Sequence, residues 1–327
     1  MPRVHCLNVS PGDCTIIQHA SERVTILDIC DGNLQVDLQK AIQELVVANT
    51  VRGNFRMCEK PTNPLSYLNS IGITEIWRFI LSHPDCDHMD GLAPLLETFT
   101  VNNFWDSGSR RTKPDFSASP YKEEDWDTYF QIIEGKNNTI NVVKCIENAN
   151  FKYANQNEDG SRGSDGLYIL APNENLLCDP NENDDVNEGT YVILYKSIGG
   201  KILLPGDAHD DSWEFVATNH TSDIENCAFL LAPHHGRDSG RSYDFLDKAQ
   251  PKLTLIGCAP SDQIDYDQWH RRGLQFITSN QAGNVVLEIA SAGIDVYVEN
   301  DRFAQKKSSY SHIKNEQGYN FIMSLRS

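Results

Sequence analysis

The chain has 327 residues, 39% of them apolar and 23% charged, with a formal net charge of −18. This composition is ordinary for a globular protein that buries one large core or two smaller ones, with no low-complexity linker and no solenoid repeat. The acidic balance argues against a chain that grips long nucleic acid through a basic face. Either the substrate is small, or metals and local basic residues offset the field, or a partner delivers the substrate.

From the N-terminus, Val4–Val9, Thr15–His19 and Val24–Ile29 read as short strands, with turn chemistry at Pro11-Gly12-Asp13. Leu34, Leu38, Ile42 and Leu45 recur at helical spacing and predict a helix from about Asn33 to Asn49. A short helix is expected around Leu65–Asn69, a strand at Glu75–Leu81, a helix at Gly91–Phe99 and a strand at Val101–Asp106. From Ser107 to about Gly166 the periodicity fades, and this segment reads as an insertion. Its Phe116, Tyr121, Trp126, Tyr129 and Phe130 would form a lid or an ordinary small core.

Strands follow at Leu167–Ala171, Tyr191–Lys196, Lys201–Leu204, Ala228–Ala232, Lys252–Cys258, Gln275–Thr278, Val285–Ile289 and Asp295–Val298. Helices intervene near Asp211–Ala217, Tyr243–Ala249 and Asp265–Arg272. The acidic stretch Asp179–Glu188 lacks the spacing of a calcium loop and reads as solvated. Residues 1–300 are expected to form one domain. The polar tail, 301–327, would either dock a partner or cap the domain.

No apolar run approaches the length of a bilayer span, and the start MPRVHCLNVS lacks the apolar segment of a signal peptide. A cytoplasmic protein with no membrane partner is therefore expected. The nine cysteines form no CxxC pair, and Cys6, Cys30 and Cys258 sit in apolar runs. They read as small buried hydrophobes rather than a disulfide framework. Cys86 lies inside the motif described next, as a spacer or a redox-sensitive thiol.

The chemistry concentrates in Ser82-His83-Pro84-Asp85-Cys86-Asp87-His88-Met89-Asp90-Gly91, directly after a strand. Two imidazoles and two carboxylates within six residues suit a divalent transition metal, and without a cation their clustering would be repulsive. Two weaker signals have the same form: Ile202-Leu203-Leu204-Pro205-Gly206-Asp207, and Leu230-Leu231-Ala232-Pro233-His234-His235-Gly236. Three apolar strands ending in ligand-type residues describe a site at one rim of a sheet sandwich. The adjacent His234 and His235 point in different directions, so at most one of them serves a given metal.

HxxxDH with a further acidic residue, then GD, then HHG, in this order, resembles the metallo-β-lactamase superfamily. Within it the SHPDxDH form is similar to the hydrolase domain of ComEC-type DNA-uptake proteins, as are Pro11-Gly12-Asp13-Cys14 and Leu27-Asp28. The resemblance implies a mixed α/β (α+β) chain folded as a four-layer αββα metallo-β-lactamase sandwich, with one or two Zn2+ or Mn2+ ions per chain. It gives His83 and Asp85 to a first metal, and Asp87, His88 and His234 to a second. Asp207 would bridge the two, with Asp28 and Asp13 supporting from behind.

The catalytic set would be Asp87, Asp207 and His235, the last steadying the substrate oxygen or protonating the leaving group. Arg237 and Arg241 would hold a phosphate or remain solvated. The chain departs from the pattern in having no histidine between His88 and His209, so the first metal would be lost, exchangeable, or completed by water and Asp13; His209 would compensate or be a surface histidine at a helix start. The expected activity is phosphodiester hydrolysis of a nucleotide or nucleic acid by metal-activated water. The alternatives are hydrolysis of an ester, thioester or amide, or a non-catalytic metal-binding subunit with protein partners in a defence or DNA-handling assembly.

Overall fold

A computed structural model describes residues 1–34, 54–149, 155, 161, 164–179 and 185–326. The helix expected over Asn33–Asn49 falls outside the described residues. In chain order the elements are β1 (Arg3–Cys6), β2 (Thr15–Gln18), β3 (Val24–Leu27), α1 (Pro64–Ser70), β4 (Glu75–Ile80), α2 (Leu92–Thr98), β5 (Thr100–Asp106), α3 (Glu123–Ile133) and β6 (Asn141–Lys144). There follow β7 (Leu167–Ala171), β8 (Val192–Ser197), β9 (Gly200–Leu204), α4 (Asp210–Asn219), α5 (Thr221–Ile224), β10 (Phe229–Leu231), α6 (Phe245–Ala249), β11 (Leu253–Ile256) and α7 (Asp267–His270). The chain closes with β12 (Phe276–Thr278), α8 (Ser279–Ala282), β13 (Val285–Ala290), β14 (Gly293–Val298), α9 (Asp301–Lys307) and β15 (Asn320–Leu325).

The strands form two sheets. One has nine strands in the order β15-β14-β13-β1-β2-β3-β4-β5-β6, the other six in the order β12-β11-β10-β9-β8-β7. Period-two alternation explains how they stack. Ile193, Tyr195, Ile202 and Leu204 of the small sheet and Val285, Leu287, Val296 and Val298 of the large one meet in a shared inner core. Their neighbours Val192, Leu194 and Leu203 face the other way, under Trp213, Val216, Phe245 and Trp269 of α4, α6 and α7. Across the molecule Ile16, Ile26 and Phe79 pack beneath Leu68, Leu92, Leu95, Trp126 and Tyr129 of α1, α2 and α3. The result is the four-layer αββα arrangement. Both faces of each sheet are buried, so the strands read as continuous apolar runs rather than as alternating ones.

The 107–166 stretch contributes α3 and β6, the latter pairing in parallel with β5. Trp126 and Tyr129 are fully buried against the large sheet. In the tail, β15 pairs antiparallel with β14 and closes one edge of that sheet. One cysteine expectation is corrected: Cys58 and Cys258, 200 residues apart, form a disulfide, while the other seven are free thiols. The loop of Cys58 lies against α8, where its N–H donates to Asn280 Oδ1, and this brings the two thiols together. Among the described residues, no helix is long and apolar enough to cross a membrane.

Inside the large sheet, His5 of β1 is fully buried, with Nδ1 2.9 Å from Tyr67 Oη and Nε2 3.0 Å from Gln18 Oε1. Gln18 Oε1 can only accept, so Nε2 carries the proton and the tyrosine hydroxyl donates to Nδ1. Burial holds this imidazole down at about 4, against an ordinary 6.5. The unfolded chain therefore binds a proton that the folded chain refuses, and stability is lost as pH falls from 6.5 towards 4. The loss is on the order of 3 kcal/mol. Urea titrations of the wild type and His5→Gln across this window should show a shallower pH slope in the variant. An equal slope would mean that His5 is not the group responsible.

Candidate metal centre

Parallel pairing sets the position of the site. β3 runs parallel to β4, and β9 parallel to β10, so the residues after each strand emerge at matching ends. Asp28 follows β3, the His83–His88 loop follows β4, Asp207 follows β9 and His234-His235 follow β10. Three backbone bonds tie these loops together: Ile29 N–H to His88 O, Tyr191 N–H to Ser82 O, and His234 N–H to Gly206 O. The two sheets are thus linked at the rim where the ligand-type side chains meet.

Asp207 is the hub. Its Oδ1 lies 3.4 Å from His88 Nε2, and its Oδ2 lies 4.0 Å from His83 Nε2, 3.6 Å from His234 Nε2 and 3.8 Å from His235 Nε2. His83 Nε2 is also 3.6 Å from Asp85 Oδ2, and His235 Nε2 is 3.6 Å from Asp87 Oδ2. Two donors on one divalent ion, each about 2.0–2.2 Å from it, lie no more than about 4.2 Å apart, and these separations fit. His83 Nε2, His88 Nε2, His235 Nε2 and Asp207 Oδ1 are buried with no hydrogen-bond partner. Buried polar atoms are almost always paired, so a cluster of inward-facing orphans of ligand type marks a cation site. The nitrogen and carboxylate set suits zinc, manganese or iron.

Groups behind the imidazoles hold their orientation. Asp28 accepts from Ser82 N–H at 2.7 Å, and its other oxygen lies 2.9 Å from His88 Nδ1. That contact engages Nδ1, so a neutral His88, as a bound cation would require, would carry its proton there and turn the Nε2 lone pair towards Asp207. Asp13 Oδ1 lies 3.3 Å from His235 Nδ1, without forming a hydrogen bond to it. His83 Nδ1 meets Ser82 Oγ at 2.9 Å and Thr190 Oγ1 at 3.3 Å.

The electrostatics express a demand for positive charge. Burial alone would depress His88 and His235, yet Asp207 leads a set of carboxylates that raises both, His235 to about 10. His83 and His234, where burial prevails, are lowered to about 4. Burial pushes Asp207 up, but His88 and His235 hold it well below the ordinary carboxylate range.

The backbone reaches this arrangement through left-handed residues. His234, His235 and Gly236 have φ of 50°, 57° and 80° in succession, and Asp28 has φ 58°. Such conformations cost a non-glycine residue about 1–3 kcal/mol and persist where function over-determines them. The two histidines diverge as a result. His235 is fully buried and belongs to both of its candidate ligand groups, with Asp87 and His88 and with Asp13 and Asp207. His234 sits nearer the surface, its ring stacked on His209 at 5.4 Å between centroids.

Of the two arginines read as phosphate holders, Arg241 is buried and braces the site loop, its Nη1 donating to Ala208 O at 3.0 Å and its Nε to Ser239 Oγ. Arg237 is fixed through its main chain, by a bond to His234 O and by Tyr243 Oη donating to its carbonyl. The cation that does reach the cluster is Arg111, paired with Asp85. It comes from a segment without periodicity and carries no sequence signal. Asp125 of α3 carries none either. It accepts from Gly91 N–H at 3.1 Å and Ala93 N–H at 2.8 Å, anchoring the end of the motif loop.

The acidic stretch is not merely solvated. Glu188 accepts from Asp211 and Ser212 N–H at the start of α4, and Asp185 contacts His209.

No protein-family model and no curated protein matches the sequence. Solved structures do match. A metal-dependent hydrolase of the β-lactamase superfamily aligns over 89% of this chain and 100% of its own, at 11% identity and a TM-score of 0.48. A long-form RNase Z from yeast aligns over 79% of this chain and 37% of its own, at 11% identity and a TM-score of 0.36. A diphosphatase of the PhnP family aligns over 88% of this chain and 98% of its own, at 11% identity and a TM-score of 0.44.

Proposed function

We propose that the chain is a metal-dependent hydrolase that holds two divalent ions and acts on phosphodiesters of nucleotides or nucleic acid. The observation that carries the reading is the set of buried, unpartnered imidazole and carboxylate atoms around Asp207. His83, Asp85 and Asp207 would hold the first ion, and Asp87, His88, His235 and Asp207 the second. This reading differs from the expectation of the sequence resemblance: it gives His235, whose Nε2 lies 3.6 Å from Asp87 Oδ2, to the second ion in place of His234, and so does not use His235 as a proton donor.

When bound, such ions supply Lewis-acid activation of water and neutralise charge on a phosphoryl oxygen. The chain's own residues do the rest. Asp28 fixes the ring of His88, Asp13 sets a negative charge beside His235, and Asp207 would join the two halves of the site. Arg111 offers a guanidinium to an anionic group at the position where it now meets Asp85. The phosphodiester preference rests on the sequence resemblance, and the charge of −18 favours a small substrate over a long polyanion.

Hydrolysis of bis(p-nitrophenyl) phosphate by the manganese- or zinc-loaded protein is the direct test. Asp87→Ala and His88→Ala should each lower turnover by about 10³-fold or more while circular dichroism stays unchanged. Turnover confined to carboxylic esters, thioesters or amides would overturn the substrate class.

A further inference from the structure

Cys258, bridged to Cys58, directly follows a residue that packs on His235. We propose that the bridge is a redox-operated clamp: closed, it holds the two sheets together beside Asp87 and His235, and opened by a dithiol, it lets the second ion go more readily. The inference rests on the two-ion reading above and adds its regulation.

One half of the clamp is the end of β11. Ile256 and Gly257 seat the left-handed turn His234-His235-Gly236. A Cβ on Gly257 would stand 3.1 Å from His235 Cβ and 3.2 Å from its Cα, and a Cβ on Gly236 would stand 2.7 Å from Ile256 Cγ2. Cys258 comes next and is buried. The other half belongs to the large sheet. Asn8, just after β1, donates from Nδ2 to the carbonyls of Met57 and Lys60 at 2.8 and 3.0 Å, and its own carbonyl accepts from Thr62 N–H at 2.8 Å. From Asn8 the chain enters the turn in which Gly12 meets the carbonyl of Asp87 and Asp13 lies beside His235. The turn that carries Cys58 is thus joined to the turn that supports the motif loop.

Packing does little to replace the bridge. Between the two halves lies a void of about 10 Å³, lined by Asp13 and Thr15 on one side and by Leu231, Gly257 and Cys258 on the other. None of Met57, Cys58 and Glu59 is buried, so their turn adds no core side chain. Near the first ion the sheets have a separate tie, the bond from Tyr191 N–H to Ser82 O next to His83. The second ion would take Asp87 and His88 from the large-sheet side and His235 from the small-sheet side, and these are the groups the clamp holds together.

Cys58 is the accessible half of the bridge, being only half-buried, and accessible disulfides are the ones that exchange. A thiolate of the reductant attacks Cys58 Sγ, the S–S bond breaks, and Cys258 leaves as a thiolate that takes up a proton. The reductant's second thiol then displaces Cys58 Sγ, closing the reductant's own disulfide and returning Cys58 as a thiol. The protein gains two electrons and two protons, which the dithiol loses.

The test compares metal binding by the oxidised and reduced wild type. Thiols counted under denaturing conditions should number seven in the oxidised protein and nine after dithiothreitol. Once the reductant is removed by gel filtration without oxygen, metal-free protein is titrated with Co2+, with His88→Ala identifying the absorption of the second site. Reduction should weaken that site ~10–100-fold and leave the first nearly unchanged, and oxidised glutathione should reverse the effect. The double variant Cys58→Ser/Cys258→Ser, with no thiol at either position to bind Co2+, should match the reduced protein and melt ~5 °C lower than the oxidised one. Two ions bound with the same affinities in both redox states would overturn the clamp and leave the two-ion reading standing, as would nine thiols after treatment with oxidised glutathione. Wild type that takes up no metal would overturn both.

Discussion

Asp207→Ala is expected to reduce metal content from about two ions towards none and to lower phosphodiester turnover by at least ~10³-fold. The reason is the shared position of one carboxylate: its two oxygens lie within 4.0 Å of the Nε2 atoms of His83, His88, His234 and His235. Removing it leaves buried imidazoles without the anion that raises His88 and His235. Asp207→Asn keeps the shape and loses the charge, so it should give a smaller loss of metal. Elemental analysis with parallel kinetics checks the result. An alanine variant that retains both ions would mean that the clusters bind independently of Asp207.

Gly12→Ala should be nearly as damaging, although residue 12 donates nothing to the site. A Cβ there would stand 1.7 Å from the carbonyl oxygen of Asp87 and 2.9 Å from Cys30 Cβ. The clash is with backbone, so the turn between β1 and β2 and the motif loop must separate. Overpacking of this kind costs about 2 kcal/mol or more, a fall in Tm of roughly 5 °C. The loop that moves carries Asp87 and His88, so metal affinity should fall ~10-fold or more. Gly72→Ala provides the control. Its φ is +75° but nothing lies within 4 Å, so it should cost about 1 kcal/mol and leave metal binding intact. Equal metal affinity in both variants would mean that the close approach at Gly12 does not hold the motif loop.

The parts of the fold and site legible in the sequence are those where a buried strand ends in a ligand-type residue. Glu75–Ile80, Gly200–Leu204 and Phe229–Leu231 are apolar because both sheet faces are covered, so their ends stand out from the polar loops that follow. That His235 turns inward while His234 stays nearer the surface was not legible, because consecutive left-handed residues decide it and two histidines side by side give no hint of backbone φ. β6 was missed because Asn-Val-Val-Lys is an edge strand with one buried side chain. The pairing of Cys58 with Cys258 depends on a contact across 200 residues that no local pattern records. Arg111 and Asp185 lie in stretches of polar sequence whose importance comes only from where the chain carries them.

A metal centre around Asp207 would hold ions that can be counted. Elemental analysis of protein purified without chelator, and again after dialysis against chelator and reconstitution with Zn2+ or Mn2+, tests it most directly. About two ions per chain are expected after reconstitution, and their loss from Asp207→Ala. A wild-type chain that binds no divalent ion under either condition would contradict it.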